Sequence, residues 1–261
     1  MEFKKGITII GTGNVAWHIA HKFYASGIQI NLVVGRNEQK GKVLAKGVNS
    51  KYSVDFSDIP FDTDLVLICI TDSAISSVAE KISSDISIAH TAGSVPLSVL
   101  GNKNKNTGVF YPFQTFSYGV RTGEIEIPIC IEANSTEMNI LLNSLAKKIN
   151  SKIYPVNSDK RKLIHLAGVV ANNFSNFLYT QAFEFLKEED IKPEILLPLI
   201  KETTAKLEVS EPSELQTGPA RRRNSEVINC HKELLRGNKQ LKELYSFMSD
   251  LILAYYKNKD E

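Results

Sequence analysis

Short apolar runs and helical periodicities alternate through the first half of the chain. Ile7-Thr8-Ile9-Ile10 is apolar and β-branched, and it stops at Gly11. Residues 14–26 follow as a helix, with Val15, Ile19 and Phe23 on one side and Gly27 as its stop. Further strands are expected at 30–34, 65–70 and 86–89, with β-like stretches at 108–111, 128–131 and 152–154. A short helix fits 74–82, with Asp72 or Ser73 placed to cap it. The strand runs are apolar throughout instead of alternating, as expected where helices cover both sheet faces. The pattern predicts an α/β fold with a doubly wound, mostly parallel Rossmann sheet.

Near residue 157 the texture changes. From 158 to 187 no strong breaker occurs, and Leu166, Val170, Phe174, Phe177 and Phe185 recur at helical spacing, predicting one long helix. Pro193 suits the first turn of another helix running towards Glu208. A segment with Pro and Gly at 211–219 interrupts, and helices are expected at 221–235 and 239–257. This divides the chain into a Rossmann domain over 1–155 and an all-helical domain over 156–261.

Composition narrows the classes. With 43% hydrophobic and 23% charged residues, the chain carries enough apolar side chains for an ordered core. Lys plus Arg (31) nearly balance Asp plus Glu (29), which gives no electrostatic reason to expect nucleic acid or a membrane surface as partner. No run of apolar residues reaches the roughly 18 needed to span a bilayer, and a secretory leader is not recognisable. Cys69, Cys130 and Cys230 are too far apart to suggest a disulfide framework or a zinc site. A soluble, cytoplasmic protein acting on a small molecule, with no metal, is the expectation.

Gly11-Thr12-Gly13-Asn14-Val15-Ala16 fits G-x-G-x-x-G/A directly after a strand and at the opening of a helix, the context that gives the motif meaning. Gly11 permits the tight turn, Gly13 lets a diphosphate approach the backbone, and Ala16 allows close helix packing. The second strand ends in Arg36-Asn37, with no acid at its tip. An arginine there suits a 2′-phosphate and argues for NADP over NAD, against the alternative of a solvated surface charge. Thr71 and Asp72, after the 65–70 strand, fall where a cofactor would border the sheet.

Two histidines are candidates for proton transfer. His90 ends the 86–89 region and leads into Thr91-Ala92-Gly93-Ser94, where Ser94 is placed to orient a substrate oxygen. The alternative for His90 is a hydrogen-bonded structural residue. Gln114, in the run Tyr111-Pro112-Phe113-Gln114-Thr115-Phe116, belongs either to a pocket wall or to a packed loop. At about 100° per residue, His165, Asn172 and Asn176 fall within roughly 40° of one another on a helix. Asparagines are poor helix formers, so a polar stripe facing a cleft would explain them, as would a seam between helices. Arg221 opens an arginine triplet that reads either as an anion site or as a solvated helix start.

The stretches GTGNVA (11–16), HTAGSVP (90–96), YPFQTFS (111–117), HLAGVVANNFSNFLY (165–179) and TGPARR (217–222) together resemble a family of NADP oxidoreductases. Its members join an N-terminal Rossmann-like domain to a C-terminal helical domain of unknown function. More distantly, the chain is similar to pyrroline-5-carboxylate reductase, ketopantoate reductase and 6-phosphogluconate dehydrogenase. The resemblance implies an interdomain cleft and a homodimer built through the helical domain. The hydroxyacid-dehydrogenase relatives carry a catalytic lysine followed by an asparagine on the corresponding helix. Here that helix carries His165, Asn172 and Asn173, so the lysine mechanism does not carry over. The expectation is an NADP-dependent reductase or dehydrogenase acting on a small C=O or C=N group, with His165 or His90 handling the proton and Asn172 assisting. A non-catalytic NADP-binding regulator or scaffold is the alternative.

Overall fold

In a computed structural model, which describes residues 3, 5–119 and 126–260, the apolar runs become the strands of one sheet. These are β1 (Ile7–Ile10), β2 (Ile30–Val34), β3 (Lys51–Ser53), β4 (Leu65–Ile68), β5 (Ile88–His90), β6 (Thr107–Pro112), β7 (Ile129–Ala133) and β8 (Ile153–Pro155). Their order is β3-β2-β1-β4-β5-β6-β7-β8, and every pairing is parallel except β6 with β7. Alternate side chains leave opposite faces. Ile7 and Ile9 join a cluster with Ile19 and Phe23 of α1 (Asn14–Ala25), Leu44 of α2 (Glu38–Gly47) and Leu142 of α4 (Thr136–Lys148). Ile10, Val66, Ile68 and Ile88 pack on the other face with Ile75 and Ala79 of α3 (Ile75–Ala79). Both faces are therefore buried, which is why the strands lack alternation.

The chain crosses from one side of β1 to the other between β3 and β4. That reversal of strand order is where ligands settle in such sheets. The strand β4 stops at Ile68, two residues short of the expected end, and Cys69 N–H donates to Ile10 O at 2.7 Å as the chain leaves the sheet. Strand β5 runs one residue further than expected, to His90. Strand β3 and helices α2 and α4 lay outside the expected pattern. The short α3 follows a turn over Asp72–Ala74 whose N-cap, Thr71, makes no side-chain cap bond. The cap expected from Asp72 or Ser73 is not made, because the Asp72 carboxylate accepts the Ser94 hydroxyl instead.

The two compact units are Met1–Asn173 and Phe174–Glu261. Helix α5 (Ser158–Gly168) thus belongs with the sheet, past the division expected near residue 155. The single helix expected over 158–187 is interrupted in its winding: a π-helical turn over Val169–Phe174 separates α5 from α6 (Ser175–Glu188). In the second unit, α6 is followed by α7 (Leu197–Lys206), α8 (Pro212–Leu215), α9 (Ser225–Leu234) and α10 (Lys239–Asp260). Tyr256 of α10 is buried, and its hydroxyl donates to Ser213 O at 2.7 Å. Among the described residues, no helix is long and apolar enough to cross a membrane.

Candidate functional site

The loop from β1 to α1 forms the floor of a cleft of about 750 Å³, within the range of roughly 300–1,000 Å³ usual for ligand sites. Gly11 has φ +122 and donates its N–H to Val34 O at 2.8 Å, and a Cβ there would collide with the Cys69 carbonyl. Gly13 differs: a Cβ added to it would meet nothing within 4 Å, because it faces the open cleft. It is also the N-cap of α1, which has no side-chain cap bond and no acid in its first turn. The first N–H groups of a full-length helix are therefore presented to the cleft, with the positive end of its dipole. Ala16 is fully buried, so the helix lies close on the sheet.

At the end of β2, Gly35, Arg36 and Asn37 line the same cleft. Arg36 is exposed, whereas the Asn37 side chain caps α2 by accepting from Lys40 N–H at 2.9 Å. Glu38 is held by Lys42, which lowers its pKa, and does not line the cleft. Thr12, Asn14, Val15, Thr71 and Asp72 also line it, so the predicted cofactor residues come together around one space. The Asn14 amide, however, donates to Phe116 O at 2.8 Å. Phe56, Val78 and Lys81 complete the far end, with the Lys81 ammonium 5.3 Å from the Phe56 ring centre.

At the other end the two histidines separate. His90 has no exposed surface, and its Nδ1 accepts from Ala92 N–H at 3.2 Å, while its Nε2 is buried without a partner. Burial, reinforced by the nearby Arg161 cation, pushes its pKa down to about 4, so the ring is neutral at pH 7. Buried and outside the cleft lining, His90 fits the structural alternative better than that of proton donor. His165, on α5, is half-buried and pairs through Nδ1 with the Tyr111 hydroxyl at 3.0 Å. Both rings pack on Gly93, a cleft-lining residue: a Cβ there would lie 2.7 Å from Tyr111 Cζ and 2.8 Å from His165 Nδ1.

The remaining candidates divide. Ser94 is exposed, and its hydroxyl donates to Asp72, so each occupies the other's polar group. Gln114 is exposed, does not line the cleft, and accepts from Thr115 N–H at 2.9 Å. The run around it is a packed loop: Phe113 sits against Gly168, and Phe116 and Ser117 carbonyls meet Asn14 and His18. Asn172 lies exposed on the π turn and Asn176 exposed on α6. The stripe drawn at about 100° per residue is not kept through the π turn, which winds by i→i+5 bonding. Arg221 lies in the helical unit, before α9, with its guanidinium 4.4 Å from the Tyr256 ring centre.

Two features escaped the sequence. Tyr111 passed as one phenol in an aromatic run. Arg161, flanked by Lys160 and Lys162, has nothing in the sequence to set it apart from them, yet it is fully buried. It donates to the Glu132 carboxylate and to Val95 O, and to Ser158 Oγ at 3.2 Å, while Ser158 donates to Glu132 at 2.8 Å and accepts from Leu97 N–H at 2.9 Å. This cluster binds the start of α5 to β7 and to the loop after β5. Its one sequence signal is spacing: Arg161 precedes His165 by one helical turn.

The family described as "NADP oxidoreductase coenzyme F420-dependent" matches residues 6–92, and "Domain of unknown function (DUF2520)" matches 127–252. A crystal structure of the "putative NADP oxidoreductase BF3122 from Bacteroides fragilis" is 35% identical, with a TM-score of 0.90 over 96% of this chain and 98% of that one. A pyrroline-5-carboxylate reductase from Streptococcus pyogenes shares the fold at 15% identity and TM-score 0.67, covering 97% and 98% of the two chains. The Plasmodium falciparum pyrroline carboxylate reductase, solved with NADP bound, shares it at 11% identity and TM-score 0.62, covering 99% of each. A search of curated proteins gives no significant match.

Proposed function

Because the chain belongs to the NADP oxidoreductase family in which a Rossmann-type unit is joined to a DUF2520 domain, we propose that it binds NADP over the Gly11–Gly13 loop. It then transfers a hydride between the nicotinamide and a small C=O or C=N substrate, placed at the Gly93 end of the same cleft. The uncapped start of α1 beneath the side-chain-free Gly13 carries this reading. That surface offers donors and positive potential to a diphosphate and has no side chain to obstruct it. Arg36 supplies the cation for a 2′-phosphate at the β2 end, with no carboxylate lining that end of the cleft to repel it.

The bound nicotinamide supplies the hydride chemistry; the chain orients it and manages the proton. Thr71, Asp72 and Gly93, which line the cleft, would border the cofactor's reactive end. His165, behind Gly93, donates the proton to the substrate oxygen or nitrogen during reduction. The protonated phenol partner of His165 favours an enzyme over a scaffold, since a cofactor-binding scaffold needs no such pair. Ser94, Asn172, Asn176 and Arg221 remain candidates for holding the substrate's polar groups.

We further propose that the helical unit joins a second copy of the chain. Leu199, Phe247, Leu251 and Tyr255 are all exposed on it, apolar side chains that a second copy would cover. The free cysteines fit the reducing cytoplasm. NADPH oxidation followed against keto acids, imines and semialdehydes tests the activity. Turnover with one class that disappears in His165→Ala supports it, and no turnover with any class despite NADPH binding favours the scaffold.

A further inference from the structure

The hydrogen bond between Tyr111 and His165 joins two elements far apart in sequence, and the packing around it is specific. The strand β6 fixes the phenol, with Tyr111 opposite Cys130 of β7. Its ring meets Phe113 edge-on at 6.1 Å, and Phe113 in turn fills the space left by Gly168 on α5. On the α5 side, Arg161 anchors the helix one turn before His165 through Glu132, Val95 O and Ser158. Glycine at 93 is what lets both rings come up against the cleft wall.

We propose that Tyr111 is the positioning residue for His165: its hydroxyl holds Nδ1 from behind and leaves Nε2 as the nitrogen that meets the substrate. This rests on the reading of His165 as the proton donor. A phenol suits the place because its hydroxyl both donates and accepts. When the imidazole is neutral with its proton on Nε2, the Tyr111 O–H donates to Nδ1. When the ring is protonated, Nδ1–H donates to the phenol oxygen. As the imidazolium passes its Nε2 proton to a substrate oxygen or nitrogen, that N–H bond breaks and a new O–H or N–H bond forms. The ring keeps Nδ1–H, still bonded to the phenol, and water restores the proton to half-exposed His165.

The phenol does not need to ionise at any stage. Burial, aided by Cys130 and opposed by Arg161, pushes the Tyr111 pKa up to about 12. A carboxylate in the same place would stabilise the imidazolium and make it a weaker acid. The nearby charges are already committed, Arg161 being paired with Glu132.

The test is nitrogen NMR on protein labelled with 15N-histidine, comparing wild type with Tyr111→Phe. His18, His21, His90 and His231 report whether the fold is intact. In the wild type, neutral His165 should show one dominant tautomer and a hydrogen-bonded Nδ1. In the phenylalanine variant, Nδ1 should move to the position of an unbonded nitrogen while the other four histidines stay put. NADPH affinity should change less than about twofold, and turnover of any substrate found should fall about tenfold at similar KM. Identical His165 nitrogens in both proteins overturn the proposal. So does a wild-type His165 that averages between tautomers as a solvated imidazole does, a result that needs no variant. Failure of the wild type to bind NADPH defeats the proposed function separately, leaving the Tyr111 result to stand or fall by the spectra.

Discussion

The two ends of the cleft are built by different means. The end over the glycine loop is made of backbone: N–H groups, a helix terminus and two residues defined by having no side chain. The end at Gly93 is backed by side chains: Tyr111 of β6 and His165 of α5 pack on Gly93, and Arg161 ties α5 to Glu132 of β7 and to the loop after β5. The first needs only that a few consecutive residues adopt one shape. The second needs four segments to be held together, and a buried ion pair does the holding. Damage at the open face of the first end, at Gly13, should therefore cost affinity without stability, and damage at the second should cost stability or turnover without affinity.

The largest expected effect falls on the assembled end. Replacing Arg161 with Ala leaves Glu132 without its cation and should destabilise the fold by about 3–5 kcal/mol in denaturant titrations. Unchanged stability would mean that other contacts hold α5 to the sheet. Gly13→Asp reverses the pattern. Its new side chain enters open space, so the melting temperature should hold, while NADPH binding weakens at least about 100-fold, near 3 kcal/mol. A variant that loses stability instead would show that Gly13 is not open to the cleft.

Acid should act on the assembled end next. His90 is held neutral in the fold, its pKa lowered from 6.5 to about 4, so its contribution is complete above pH 6.5 and disappears as pH falls towards 4. The loss should be on the order of 3 kcal/mol across that window, and His90→Gln should flatten it. An equally steep pH dependence in that variant would assign acid sensitivity to other groups. The smallest effect belongs to Arg36→Ala, which should weaken NADPH about tenfold, or roughly 1.4 kcal/mol, and leave NADH unchanged. Equal losses for both nucleotides would make Arg36 a general phosphate contact.

The same contrast explains what could be read from the sequence. Gly11 to Ala16 is contiguous, and its chemistry is local, so spacing and context were enough. Arg36 was legible because a strand end points to a fixed place in this fold. The Rossmann sheet and helical C-terminal unit were legible from periodicity, although α5 proved to pack with the sheet. Nothing in a linear pattern distinguishes Arg161 from Lys160 and Lys162, since which of them turns inward depends on the helix phase against β7. His90 and His165 looked alike for a similar reason: burial divides them, and burial is set by distant residues. The π turn has no breaker to announce it. Asp72 was expected to cap its own helix because the partner it takes, Ser94, is 22 residues away.

The most direct test of the account is a calorimetric titration of the wild-type protein with NADPH and NADH, repeated on Gly13→Asp. The account predicts saturable heat from NADPH, binding at least about tenfold tighter than NADH, and none from either nucleotide in the variant. No heat from NADPH with the wild type, or tighter binding of NADH, would contradict it.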